Sequence, residues 1–254
     1  EDYCDGLGDC LPACPTNAIS MGVDKKATID PGKCISCGSC VNQCPFGAIM
    51  DNSFMVNAID ILKKSERNTR GGNYKVYAVV APSISSQFSY AKLGQVVTGL
   101  KKLGFHDVEE TAIGATIVKN EYERMLREEA RDVIIPSCCH SINLLIQKYY
   151  PAALGYLADV VSPMQAHCLD IKKRIPNAKT VFIGPCVAKK DEAEYYEGLV
   201  DAVLTFEELT NWLRKENIEL EQELDQDEES RARFFPVTGG VLKTMKKDTS
   251  KYTY

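Results

Sequence analysis

The sequence lacks a long hydrophobic run, an excess of positive charge and a basic, apolar leader. No stretch of the 254 residues approaches the roughly eighteen consecutive apolar residues of a membrane-spanning helix, so we expect no membrane partner. The formal net charge of −5 leaves no basic stripe for phosphates, which argues against a nucleic-acid partner. Because residues 1–4, Glu-Asp-Tyr-Cys, show no feature of a secretory signal, we expect a cytoplasmic protein.

Cysteine, in contrast, is abundant. The chain has 11 cysteines, and most of them lie in two blocks with regular spacing. In a small secreted protein this number would indicate disulfides, but the spacing here is that of metal ligands and no leader accompanies it. Thiolate ligation of metal is therefore the better interpretation.

One block has the spacing of an iron–sulfur site. Cys34, Cys37, Cys40 and Cys44 form the run C-x2-C-x2-C-x3-C, which Pro45 closes. In such a run three thiolates bind one 4Fe-4S cluster and the fourth cysteine reaches a second cluster. The spacing is specific enough to predict an iron–sulfur site.

The same pattern occurs upstream with one ligand missing. Cys4, Cys10 and Cys14 take the matching positions, but Leu7 stands where the second cysteine is expected. Both runs continue as Cys-Pro-x-x-Ala-Ile, so they form an internal repeat. The repeat resembles the bacterial two-cluster ferredoxins, which predicts a small α+β iron–sulfur domain.

That resemblance implies that each cluster takes ligands from both halves of the repeat. The complete 4Fe-4S site has four thiolates: Cys14, Cys34, Cys37 and Cys40. The other site has three: Cys4, Cys10 and Cys44. Because leucine cannot coordinate iron, this second site is predicted to hold a three-iron cluster, to hold a cubane capped by water or by a carboxylate such as Asp9, or to be empty. We favour the first two alternatives over an empty site.

After residue 73 the sequence predicts an α/β domain with a mostly parallel sheet. Strand-like runs are predicted at 75–81, 132–136, 180–184 and 202–205. Helical patterns are predicted between and after them at 91–103, 121–130, 142–149 and 206–215. Thr205 with Glu208 has the sequence of a capping box.

These patterns divide the chain into three parts. Residues 1–52 form the predicted ferredoxin-like domain, 53–73 an amphipathic helix and a polar linker, and 74–254 the α/β domain. The acidic run 219–233 has no apolar stripe and is predicted to be a solvated helix or loop.

Three unusual segments each follow a predicted strand of the second domain. They are Ala81-Pro82-Ser83, Pro136-Ser137-Cys138-Cys139-His140, and Gly184-Pro185-Cys186-Val187-Ala188-Lys189-Lys190. Because ligands bind at the carboxyl ends of parallel strands, these turns are expected to converge on one site. Two cysteines and a lysine are then expected to meet there.

These segments resemble the catalytic domain of the iron-only (FeFe) hydrogenases. The family's first motif reads Thr-Ser-Cys-Cys-Pro and its second Met-Pro-Cys-x-x-Lys-Lys. Further similar stretches begin at Val161, Asp201 and Thr238. The resemblance implies an oxidoreductase of anaerobic hydrogen metabolism, which interconverts protons and hydrogen at an H-cluster. That cofactor is a 4Fe-4S cluster joined to a di-iron unit with CO, cyanide and a bridging dithiolate.

Carried over to this sequence, the resemblance implies a role for each motif residue. Cys139 and Cys186 would ligate the 4Fe-4S part of the H-cluster. Cys138 would pass protons to the dithiolate, and Lys189 would hydrogen-bond an iron cyanide. Pro82 and Ser83 would line the di-iron pocket. Ferredoxin or another redox protein would be the electron partner.

The sequence departs from the family pattern in ways that keep alternatives open. His140, Pro136 and Gly184 replace a proline, a threonine and a methionine, as in divergent and sensory branches. The third motif, Cys-x-x-x-Cys, with the remaining cluster ligands, is absent from the sequence, and we expect the chain to be a fragment. The alternative is a non-catalytic electron-transfer or cluster-assembly relative without the di-iron unit.

Overall fold

The computed structural model describes residues 3–67, 70–128 and 133–225. Within the ferredoxin-like part, two short strands, β1 (Ile19–Met21) and β2 (Ala27–Ile29), pair antiparallel. Two short helices, α1 (Cys10–Ala13) and α2 (Ser39–Gln43), follow the cysteine loops of the two halves of the repeat and pack together. The predicted small α+β fold is thereby confirmed.

The second part is built on a four-stranded parallel sheet. Its strands are β3 (Val76–Val80), β4 (Asp107–Glu110), β5 (Lys179–Gly184) and β6 (Ala202–Thr205). They lie in the order β4-β3-β5-β6, and every neighbouring pair is parallel. All five residues of β3 are buried, because helices cover both faces of the sheet and a buried parallel strand is apolar throughout. The α/β class predicted from the sequence is confirmed.

Helices connect the strands and cover the sheet. The first five are α3 (Met55–Lys63), α4 (Ile84–Gln87), α5 (Leu93–Leu103), α6 (Ala112–Glu128) and α7 (His140–Tyr149). The last three are α8 (Pro163–Arg174), α9 (Ala188–Tyr195) and α10 (Phe206–Lys215). Two 3-10 turns span Pro151–Tyr156 and Leu220–Gln222. No helix among the described residues has the combined length and apolar character that crossing a bilayer requires.

The structure corrects the sequence-based prediction around the sheet in two places. The predicted strand at 132–136 is wrong over its described residues, because Ile135 forms only an isolated bridge with Leu157 and both sides of β3 are already occupied. Strand β4 was missed, since its sequence Asp-Val-Glu-Glu has a single apolar residue. An edge strand needs less apolar surface than a central one, and β4 is only half-buried.

The structure also corrects one helix prediction and confirms the predicted capping box. Helix α6 begins at Ala112 instead of Glu121, so the predicted segment was only its C-terminal half. The capping box at the start of α10 is confirmed, because Thr205 accepts a hydrogen bond from the Glu208 amide and Glu208 accepts one from the Thr205 amide.

Helices α6 and α8 touch along their main chains. A Cβ atom at Gly114 of α6 would lie 2.1 Å from the Pro163 carbonyl oxygen and 2.7 Å from the His167 Cβ. Only glycine can fill this position without moving one of the helices. The absence of a side chain at Gly114 therefore fixes how closely the two helices approach.

The described part of the acidic run lies against α5. Leu220 is buried, Lys102 pairs with Glu223, and Lys92 pairs with Asp225. The prediction of a solvated segment is therefore wrong at Leu220, whose neighbour Gly99 leaves room for it. Residues 226–233 of that predicted run lie outside the described residues.

Candidate functional site

The three cysteines of the incomplete ferredoxin-type site lie around one cavity. Its lining includes Cys4, Cys10 and Cys44 together with Leu7 and Asp9. Burial raises the pKa of Cys10, and the neighbouring Cys4 and Cys44 raise it further. Cys44, from the second half of the repeat, therefore lies with two cysteines from the first half.

The repeat is also visible in how the last cysteine of each half is held. Cys14 follows α1 and Cys44 follows α2, with nearly equal backbone angles (ψ 112° and 106°). Each sulfur accepts a hydrogen bond of 3.2 Å from the amide four residues on, at Ala18 and Ala48. Burial raises the pKa of the Cys14 thiol, but these amide contacts outweigh it and leave the pKa below its ordinary value. Because Cys44 crosses to the other half, its counterpart Cys14 is expected to do the same.

The other three cysteines of the complete site also lie close together. Burial raises the pKa of Cys40, and the nearby Cys34 and Cys37 raise it further. The Ser36 amide donates to the Cys34 sulfur at 3.4 Å. Gly38, with φ of 77°, makes the left-handed turn into α2. The assignment of Cys14 to this group stays a prediction, supported by the symmetry of the repeat.

These groupings differ from a mononuclear metal site. Over the described ranges, no three His, Cys, Asp or Glu side chains converge as the ligands of a single metal ion do. Ligands of a cubane attach to four separate irons and stand further apart. The ligand set of seven cysteines, with Leu7 leaving one corner without a thiolate, stays a prediction.

The Leu7→Cys variant is predicted to complete the incomplete site. A fourth thiolate should convert a three-iron or labile cluster to a stable cubane and add about one iron per chain. Iron quantitation and EPR of the anaerobically purified protein measure this change. Val23→Cys, which adds a thiol at a fully exposed position, is the control. Unchanged iron content and EPR in Leu7→Cys contradict the prediction.

A larger cavity opens at the carboxyl ends of β3 and β5. Its volume is about 410 Å³. Its lining is largely apolar, with two cysteines and one lysine among these residues: Ala81, Pro82, Thr111, Ala115, Pro136, Cys138, Cys139, Pro163, Met164, Phe182 and Lys189. The three segments singled out in the sequence therefore meet, although residues 133–136 are not a strand. Ser83 and Cys186 are not among the lining residues, and Ser83 is exposed.

Cys138 is held by a tyrosine that sequence reasoning missed. Its sulfur lies 3.4 Å from the Tyr122 hydroxyl, and that hydroxyl accepts a 3.0 Å hydrogen bond from the Ser137 amide. Burial raises the pKa of the Cys138 thiol, while the Tyr122 hydrogen bond and the charge of Lys189 act in the opposite direction. Burial likewise raises the pKa of Tyr122 far above its ordinary value. Both groups are therefore protonated at neutral pH.

Lys189 is directed to the cavity by two contacts. Its ammonium donates to the Cys138 carbonyl oxygen at 3.0 Å and pairs with the Glu192 carboxylate, which is buried. Glu192 was also missed, and the signal that could have found it is its position three residues after Lys189 on α9. The pairing keeps a charged ammonium at the edge of an apolar cavity.

Two of the three histidines and Cys168, which lies outside the cysteine motifs, are buried. His140 is buried and lies 2.9 Å from Asp191, while His167 is fully buried and lies 2.8 Å from Glu109. Cys168 is also fully buried, and burial raises its pKa to about 12. A thiol with this degree of burial packs as a small apolar side chain and has a structural role.

The donor set around the larger cavity fits a hydrogenase-type cluster in part. Cys139 is exposed beside the cavity, and Cys186 lies on the neighbouring loop. A 4Fe-4S cluster needs about four thiolates, and these motifs supply two of them. All 11 cysteines of the sequence lie in the described part, so the residues outside it add no thiolate to this site.

Comparison with known proteins agrees with this geometry. Residues 74–253 match the family "Iron only hydrogenase large subunit, C-terminal domain", and residues 3–48 match the "4Fe-4S dicluster domain". The periplasmic [Fe] hydrogenase large subunit of Nitratidesulfovibrio vulgaris is 29% identical over 280 residues, covering 84% of this chain and 65% of its own. The ferredoxin 7Fe of Hydrogenibacillus schlegelii is 41% identical over 54 residues, covering 20% of this chain and 68% of its own.

A solved structure shows the same fold. A single-residue variant of the [FeFe]-hydrogenase HydA1 from Chlamydomonas reinhardtii superposes with a TM-score of 0.60 at 26% identity, covering 76% of this chain and 56% of that one. The chain thus spans between about half and two thirds of the length of these two hydrogenases.

Proposed function

Because the chain belongs to the iron-only hydrogenase family, we propose that it takes part in the reversible conversion of protons and electrons to hydrogen, in catalysis or in hydrogen sensing. The observation that carries the proposal is the cavity that brings Cys138, Cys139 and Lys189 together beside Pro82. When bound, the di-iron unit supplies the place where protons and electrons combine.

The residues of the cavity have distinct tasks in this proposal. Cys138 holds a proton on its buried thiol and passes it into the cavity, with Tyr122 keeping the sulfur in place. Lys189, fixed by Glu192 and the Cys138 carbonyl, offers a positive charge and N–H donors to an anionic ligand. Pro82 and Met164 keep water away from the reacting centre. Cys139 and Cys186 bind iron.

Electrons are proposed to pass through the ferredoxin-like part. Its seven cysteines form two cluster sites, and ferredoxin or another redox protein is the proposed electron partner. The likeness to the ferredoxin 7Fe supports a three-iron cluster at the site where Leu7 replaces a ligand. A cytoplasmic location remains part of the proposal.

The proposal is tested with the product of the complete gene, matured under anaerobic conditions with a di-iron unit. We expect infrared bands of CO and cyanide and hydrogen evolution from reduced methyl viologen. Cys186→Ser, which removes one proposed iron ligand, should lose both signals. Absence of the infrared bands in the unaltered protein would overturn the proposal and favour a non-catalytic electron-transfer relative.

A further inference from the structure

The two parts of the chain are joined by polar contacts around one cysteine loop. Helix α7, which directly follows Cys139, carries two of the donors. Lys148 donates to the Cys34 and Pro31 carbonyl oxygens at 2.6 and 2.9 Å, and Tyr149 donates to the Lys33 carbonyl oxygen at 3.0 Å. The loop of the complete cluster site is therefore bound to the helix that begins at the hydrogenase-like cavity.

A second contact joins the same loop to the Cys186 segment. A Cβ atom at Gly38 would lie 2.3 Å from the Val187 Cγ2, so the Gly38 main chain touches this side chain. Gly38 lies between Cys37 and Cys40, and Val187 follows Cys186. The complete cluster site thus faces the hydrogenase-like part, whereas the cavity with Leu7 is lined only by residues of the ferredoxin-like part.

Asp191 lies between these segments. Its carboxylate accepts a hydrogen bond of 2.9 Å from the buried His140 ring, which directly follows Cys139. That bond lowers the pKa of Asp191, burial opposes it, and the nearby Ser36 side chain and Lys148 charge lower the pKa further. The Asp191 carboxylate is therefore bonded to the residue after Cys139 and lies beside the Cys34–Cys37 loop.

We propose that Asp191 is a positioning residue for electron transfer, which fixes the loop of the complete cluster against the segments carrying Cys139 and Cys186. This inference rests on the proposed function, because it assigns a path to the electrons of that reaction. When bound, the ferredoxin-type cluster would be oxidised as the neighbouring cluster is reduced, with no bond made or broken, and the residues of this chain would set how closely the two are held. The rate of such a step depends on how closely the two clusters are held.

The test uses Asp191→Ala and Asp191→Asn in the matured full-length protein, with Asp170→Asn as the matched control. Asp170 pairs with Arg174 on α8 and does not take part in the contact. In Asp191→Ala, amide hydrogen exchange of residues 31–38 should accelerate by roughly ten- to a hundredfold, because the hydrogen bond from His140 to a charged group beside this loop is lost. Asp191→Asn should show an intermediate acceleration, since an amide oxygen still accepts one bond.

Two reactions separate positioning from a general defect. Hydrogen evolution from reduced methyl viologen requires electrons from outside, whereas isotope exchange between deuterium gas and water needs no net electrons. Asp191→Ala should lower evolution severalfold and leave isotope exchange as in the unaltered protein. An equal fall in both reactions, or an unchanged amide exchange rate, overturns the inference. If the unaltered protein catalyses no isotope exchange, the proposed function itself fails.

Discussion

Hydrogen evolution by the matured full-length protein is expected to fall by roughly 10²–10⁴-fold when Cys138 is replaced by alanine, as for the loss of a general acid–base group. The Cys138 thiol lines the larger cavity, and its sulfur is already hydrogen-bonded to Tyr122. Iron content should stay unchanged, because Cys139, and not Cys138, is the proposed ligand. Gas chromatography of hydrogen and iron quantitation measure the two quantities.

Cys168→Ala is the matched control for this prediction. It also removes a buried thiol, but Cys168 lies under the sheet among core residues and does not line the cavity. We expect it to lower stability and to keep the activity per cluster. Activity in Cys138→Ala equal to that of the unaltered protein would remove Cys138 from the proton path.

The second large effect is expected on stability, at the contact of α6 and α8. In Gly114→Ala the added methyl group meets the Pro163 carbonyl oxygen, a main-chain atom that cannot move without its helix. A gain in helix propensity of about 0.5–1 kcal/mol is outweighed by overpacking. We expect a net loss of about 3 kcal/mol, which lowers the melting temperature by roughly 6–12 °C in a domain of this size.

Gly155→Ala provides the comparison. Its Cβ would meet nothing within 4 Å, so its stability should remain within about 0.5 kcal/mol of the unaltered protein. Circular dichroism melts of the three proteins, prepared with the same cluster content, give the result. If Gly114→Ala had the same melting temperature as the unaltered protein, the helices could separate at little cost in free energy.

The sequence predicted those features that depend on local pattern. Strands β3, β5 and β6 are short apolar runs because they are buried on both faces, and this pattern is visible without a partner. Strand β4 has no such pattern. Its Glu109 is instead satisfied by His167 and Arg174 of α8, so the charge that hid the strand is explained only by the tertiary structure.

The candidate site shows the same division. The spacing of the cysteines and the position of Pro82 and Lys189 after strands were enough to predict the convergence on one cavity. The contacts of Tyr122 with Cys138 and of Asp191 with His140 were not predictable, because each joins two helices or loops whose relative rotation is set by packing. Residues such as these contact the site from outside its motifs, so no regular spacing in the sequence identifies them.

The main-chain contact at Gly114 also bears on gas diffusion. Dihydrogen and dioxygen are small and apolar, and they reach buried centres through transient gaps between side chains. Where α6 and α8 meet main chain to main chain, no side chain can rotate away to open such a gap. If the cavity handles hydrogen as proposed, gas is expected to enter away from this wall, on the side where Pro136 and Cys139 are exposed.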